Sequence, residues 1–172
     1  TTLPKIDFGI RDTRLAGPVY GRLRTNAVRY GIKTGTDDAL RWERLDLSPG
    51  LSVPLRIAPW LQINPQGSYR VTYYTKSYEP LTNRQVVTGS DYLRRYASLS
   101  VGLTGPVLAR VFERSADGSR KLKHVIEPSV SYDYTGDIDL EQRAFQIDSI
   151  DRATATNQLA FRLSNYVLTK RV

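Results

Sequence analysis

The sequence predicts an all-β fold, an antiparallel meander of about seven long strands, on three observations. Apolar and polar residues alternate with period two, turn-forming residues separate the alternating runs, and the runs are long. The clearest run covers residues 61–76. Leu61, Ile63, Pro65, Gly67, Tyr69, Val71 and Tyr73 fall on one face, and Gln62, Asn64, Gln66, Ser68, Arg70, Thr72, Tyr74 and Lys76 on the other. A helix would bring residues three and four apart together, so this pattern is a strand with one apolar and one wet side.

The other elements follow in order. Weaker strands are expected over residues 4–10, 19–32 and 40–55. Over 92–107, Leu93, Ala97, Leu99, Val101, Leu103 and Val107 oppose Tyr92, Arg94, Tyr96, Ser98, Ser100 and Thr104, with Arg95 interrupting the apolar side. Residues 121–134 set Leu122, Ile126, Val130, Tyr132 and Tyr134 against Lys121, Lys123, Glu127, Ser129, Ser131 and Asp133. Residues 154–168 set Leu159, Phe161, Leu163 and Val167 against Thr154, Thr156, Gln158, Arg162, Ser164 and Tyr166. Turn-rich segments at 33–38, 77–90, 115–120 and 135–151 connect them. Pro49, Pro54, Pro65, Pro106 and Pro128 lie in or beside these strands and donate no ladder hydrogen bond, so bulges or strand ends must absorb them.

Strand length separates a membrane barrel from a soluble sandwich. Globular strands usually have about 5 to 6 residues, whereas four of these runs alternate for roughly 14 to 16. At about 3.3 Å per residue and a tilt near 45°, each rises roughly 35 Å, more than the apolar band of about 25 Å in outer-membrane barrels. The 11 tyrosines and Trp60 suit the aromatic belts of such barrels. No stretch is apolar enough for a membrane-spanning helix and no leader is visible. A mean hydropathy of −0.40 is compatible with a barrel, in which only every second residue faces lipid.

Catalytic chemistry is poorly represented. With 0 cysteines there is neither a thiolate nucleophile nor a cysteine metal site, and the single histidine, His124, has no Gly-x-Ser-x-Gly elbow to serve. Asp137, Asp139 and Glu141 alternate but lack the glycine and remaining ligands of a calcium loop, so they read as a solvated connection. Phosphate-cradling glycine motifs and the basic-aromatic clusters of RNA-binding domains are absent. No enzyme activity, cofactor, metal or nucleic-acid partner is expected. The net charge of +8 points to an anionic partner or a basic solvated surface.

Four motifs in one order resemble the barrel of the LptD family, which assembles lipopolysaccharide in the outer membrane. They are Arg44, Asp46 and Pro49 followed by Pro54 and Leu55; Arg70 to Tyr74; Glu127, Pro128, Tyr132 and Tyr134; and Phe145, Asp148, Asp151 and Arg152 followed by Asn157, Leu163 and Asn165. The resemblance covers most of the chain. It implies a single internal segment of barrel wall, without separate domains, in a translocon that inserts lipopolysaccharide into the outer leaflet. It also implies a lipoprotein plug inside the barrel, and periplasmic bridge proteins reached through a domain not seen here.

On this reading Gln62, Asn64, Arg70, Thr72, Arg94, Tyr96, Lys123, Glu127 and Arg162 face the lumen. Arginine should be costly at Val71 and tolerated at Thr72, and the first and last strands should keep open edges. Two alternatives remain at this stage: a complete small porin-like or adhesive barrel, which would pair its first and last strands, and a soluble basic β domain binding an anionic ligand, which would bury its apolar faces between two sheets.

Overall fold

The computed structural model describes residues 2–32, 40–79, 87–113, 120–138 and 143–171. It contains β1 (Thr2–Ala16), β2 (Val19–Ile32), β3 (Leu40–Ser52), β4 (Leu55–Ala58), β5 (Leu61–Tyr74), β6 (Ser77–Tyr78), β7 (Val87–Thr88), β8 (Tyr92–Thr104), β9 (Leu108–Glu113), β10 (Arg120–Thr135) and β11 (Thr156–Arg171). Seven of these follow one another in the main sheet as β1-β2-β3-β5-β8-β10-β11, and all neighbours are antiparallel. Here β4 extends β3 beside β5, and β9 extends β8 beside β10. The sheet curls into a half-barrel. β1 and β11 are its two edges and do not pair with each other, which removes the small closed barrel.

Three connections of six residues or fewer join strand ends at one rim. β1 and β2 meet through Gly17 and Pro18, and Gly17 has φ +51°, a left-handed conformation that glycine adopts without a Cβ penalty. At the same rim β4 turns directly into β5, and β9 leads into β10. The strand ends joined by the longer connections, 33–39, 75–91 and 136–155, lie at the opposite rim.

The prolines explain where the strands break. The run expected over 40–55 stops at Ser52 and resumes at Leu55, leaving Pro54 in the gap. Pro65 lies opposite that gap and accepts from the Val53 N–H at 3.0 Å, so its own missing N–H faces the side where the ladder lapses. Likewise the run expected over 92–107 ends at Thr104 and resumes at Leu108, with Pro106 in the break. Pro128 faces that break and accepts from the Gly105 N–H at 3.0 Å. Pairing along β10 slips by one residue across it, from Val130↔Leu103 to Ile126↔Leu108. The even-numbered residues of β9 therefore continue the face of the odd-numbered residues of β8, as at a bulge. Pro49 pairs with Leu23 on β2, and on its β5 side the ladder lapses across Ser48 and Pro49.

Cross-strand partners share a face, so the registers define two surfaces. The outer one carries Ile6, Phe8, Leu45, Leu47, Tyr69, Tyr73, Leu93, Leu99, Tyr132, Tyr134, Leu159, Phe161 and Leu163, all exposed, with Phe161 at 76%. Bare apolar area on this scale requires a nonaqueous neighbour. Arg95 interrupts this face opposite Val71. The inner face is polar over most of its area, but at the rim of the longer connections it is not. There Val28, Tyr30 and Trp42 form a small core with Phe145. The first strand is longer than the expected 4–10, because pairing with β2 carries it to Ala16 through irregularities near Asp12 and Leu15.

Candidate functional site

The most elaborate chemistry lies where residues 143–153, part of the connection from β10 to β11, fold back onto the inner face of β2, β3, β5 and β8. In sequence this segment, the strap, reads as a turn-rich connection that carries the Phe145, Asp148, Asp151 and Arg152 motif, with no packing partner assigned. Phe145 stacks on Trp42 at 4.4 Å between ring centroids, and Trp42 stacks on Tyr30 at 5.3 Å. Tyr78 closes the other side of Phe145 at 4.5 Å, and its N–H donates to the Arg143 carbonyl. These aromatic rings sit on the inner side of an alternating pattern and would otherwise face water, so the strap supplies their missing apolar partner.

Two buried arginines hold the rest. Arg44 on β3 has 0% side-chain exposure and grips Asp148 with both terminal nitrogens, Nη1 to Oδ1 at 2.8 Å and Nη2 to Oδ2 at 2.7 Å. The same Nη1 lies 2.7 Å from Asp151 Oδ1, and Nη2 also donates to Asn26 Oδ1. The planar fork of a guanidinium suits such bidentate contact, which a lysine could not reproduce. Arg94 on β8 donates instead to main-chain carbonyls, to Asp151 at 2.9 Å and Ile150 at 2.7 Å. Tyr74 donates to Asp151 Oδ1 at 2.7 Å, and Tyr30 to Asp148 Oδ2 at 3.2 Å. Within the strap, Asp148 Oδ1 accepts the Ile150 and Asp151 amides, and Asp151 Oδ2 those of Ile147 and Asp148.

The two carboxylates therefore both set the turn and dock it. Burial works to raise the Asp148 carboxyl, but hydrogen bonds and charge from Arg44, together with the Asp151 and Ile150 amides, outweigh it and hold it at about 2. Below this anchor a second network links Asp46, which accepts from Thr72 Oγ1 at 2.7 Å and lies 3.6 Å from Arg70 Nε. Arg70 Nη1 donates to the Tyr96 hydroxyl at 3.2 Å.

The residues singled out from sequence divide accordingly. Arg70, Thr72, Arg94 and Tyr96 meet in these two networks, and Arg44, Asp46, Asp148 and Asp151 of the motifs join them. Gln62, Asn64, Lys123, Glu127 and Arg162 share the inner face by register but stand apart, toward the rim of the short connections. Pro49, Pro54 and Pro128 are the ladder-break residues. Arg152 is exposed, its amide donating to the Asp148 carbonyl at 3.1 Å. Asn157 and Asn165 lie on the outer face of β11, where Asn165 Oδ1 is 2.6 Å from His124 Nε2. Asp137 is exposed, while Asp139 and Glu141 fall outside the described residues.

One expectation is overturned. Thr72 has 0% exposure and is packed against Asp46, so it has no room for arginine. Sequence reasoning also missed Asn26, Tyr30, Trp42 and Tyr74 as partners of the strap. The available signal was their parity, which puts large aromatics on the wet side of strands with no partner yet assigned.

The chain matches the family LptD, described as LPS transport system D, over residues 1–169. Neither the curated proteins nor the solved structures yield a match. The match spans nearly the whole length of a two-faced half-barrel whose motif residues Arg44, Asp148 and Asp151 converge in space, and the chain accordingly belongs to the LptD family, outer-membrane proteins of lipopolysaccharide transport.

Proposed function

We propose that the chain is one segment of the wall of a larger barrel translocon that inserts lipopolysaccharide into the outer leaflet, with its inner face toward the lumen. The observation that carries this reading is the division of the sheet. The outer face is an exposed, mostly apolar surface interrupted by Arg95, whereas the opposite face holds arginines, serines and carboxylates around the strap. Open edges on β1 and β11 support continuation of the wall by further strands, since exposed edges seek partners. In this reading Gln62, Asn64, Arg70, Lys123, Glu127 and Arg162 line the lumen, where a lipoprotein plug or the sugars and phosphates of the cargo meet them, while Thr72, Arg94 and Tyr96 stand on the same lumenal side but are buried. The rim of short connections is periplasmic, toward the bridge proteins, and the rim of longer connections extracellular, as in bacterial barrels generally. The strap then braces the extracellular half of the lumen from inside.

Single cysteines in the intact protein test the assignment, at Leu47, Leu99 and Phe161 on one face and Gln66, Ser98 and Ser131 on the other. Spin labels at the first three should be relaxed by oxygen in the bilayer, and those at the second three by a water-soluble nickel chelate. The same accessibility on both faces would overturn the wall reading.

A further inference from the structure

The outer face carries a charged feature just beyond its apolar band. Arg29 on β2 and Glu43 on β3 stand opposite each other at the rim of the longer connections, with Arg29 Nε 2.8 Å from Glu43 Oε1. The Glu43 amide donates to Thr75 Oγ1 at 2.8 Å, and the Thr75 amide donates to the Glu43 carbonyl at 3.0 Å. Those bonds fix the backbone that carries the carboxylate, which in turn aims the guanidinium. Arg41 is the next residue of the same face toward the rim, two ladder pairs on and opposite Gly31, exposed and without an ion pair among the described residues. On the other side of the pair, Ile6, Ala27, Leu45 and Tyr73 form one row across four strands. The small Ala27 leaves a trough between its larger neighbours. With Arg29 and Glu43, this row lines a groove of about 440 Å³ that is apolar except at its charged end.

We propose that this groove binds a phosphorylated glycolipid of the outer leaflet, lipopolysaccharide itself, with a phosphate at Arg29 and Arg41 and an acyl chain along the Ile6–Ala27–Leu45–Tyr73 row. The inference rests on the wall reading above, which puts this rim in the extracellular leaflet. Among the described residues two guanidinium groups stand here against one carboxylate, a net positive charge where lipid phosphates lie, and a planar guanidinium donates paired hydrogen bonds to a phosphate. Arg29 uses Nε and Nη2 on Glu43, so its Nη1 remains for a ligand. The site lies on the outer wall, on the opposite side of β2, β3 and β5 from the strap and the inner-face networks.

A photoreactive benzoyl-phenylalanine at Tyr73 of the intact protein, in phosphatidylcholine vesicles containing either lipopolysaccharide or phosphatidylglycerol, tests the proposal. A second probe at Leu99 reports general lipid contact. The Tyr73 probe should give a lipopolysaccharide adduct that Arg29→Ala with Arg41→Ala reduces by about fivefold or more, as expected for two charge-assisted contacts. The Leu99 adduct should not change. An undiminished Tyr73 adduct, or equal capture of phosphatidylglycerol, would overturn the glycolipid site while leaving the wall reading intact. Silence of both probes toward every lipid would overturn the wall reading, and the groove with it.

Discussion

Replacing Arg44 with methionine is the most informative single perturbation of the strap. The side chain is fully buried and contacts Asp148, Asp151 and Asn26, so methionine keeps much of the stem's packing and removes the charge. Asp151, at 1% exposure, would then keep only Tyr74 and two strap amides against its charge. Removing one partner of a buried pair costs about 3 to 5 kcal/mol, because the other charge is left without compensation in a poorly solvated site. The strap is a peripheral unit of the fold, so we expect this cost to appear as local opening. Ala144, buried beside Phe145, offers a reporter in a sequence without cysteine. A cysteine placed there should react slowly with a membrane-impermeant maleimide. In the Arg44→Met background its rate should rise by about 10² to 10³, the lower range of that energy at 1.4 kcal/mol per decade. Equal rates in the two backgrounds would show that Arg44 does not hold the strap, and the network would be incidental to its position.

Other predictions address the pH response, the faces and one close approach. The Asp148 carboxyl sits below its ordinary 3.8 when folded, so its contribution is complete above about pH 4 and is lost as pH falls toward 2. Acrylamide quenching of Trp42, in a Trp60→Phe background, should therefore stay flat from pH 7 to about 4 and rise below; a rise already between pH 6 and 5 would contradict it. Val71→Arg on the outer face should cost about 2 to 4 kcal/mol near the bilayer midplane, measured by denaturant unfolding in lipid, while Ser98→Arg on the inner face should cost far less. Equal costs would mean that the faces are misassigned. A Cβ at Gly50 would lie 2.7 Å from Arg22 Nε and 3.3 Å from the Gly67 carbonyl oxygen. Gly50→Val should thus detach Arg22 from Gln66, now 3.4 Å apart, and lower stability by about 1 to 3 kcal/mol; unchanged unfolding would show that Arg22 moves aside freely.

Much of the architecture is legible in the sequence, because period two is a local signal and a barrel wall is built almost wholly from it. The residues 61–76 alternation predicts both faces of β5 directly. The prolines marked real interruptions, but only pairing shows that Pro128 and Pro106 are two sides of one break that inverts the parity of β9. The strap was legible only as a list of residues. Arg44, Asp148 and Asp151 stand in motifs, yet nothing local says that an arginine inside a strand meets a turn 104 residues later. Thr72 shows the same gap from the other direction. Its parity predicts a wet environment, and the environment is closed because Asp46 on the neighbouring strand occupies it.

The span of these contacts bears on the order in which the molecule can form. Neighbouring strands of the main sheet follow one another along the chain and can zip in sequence, whereas the bonds from Tyr30 and Arg44 to Asp148 close loops of 118 and 104 residues. Such closures lose more chain entropy and are rewarded only once β2, β3, β5 and β8 already present a shared surface. The strap should therefore lock late, as a check that the strands before it are in register. A one-residue slip of β3 would turn Arg44 and Trp42 outward and leave Asp148 with Tyr30 and Phe145 with Tyr78 as their remaining side-chain partners from the sheet side. During refolding, protection of a cysteine at position 144 should lag behind strand formation measured by circular dichroism; protection that arrives first would reverse that order.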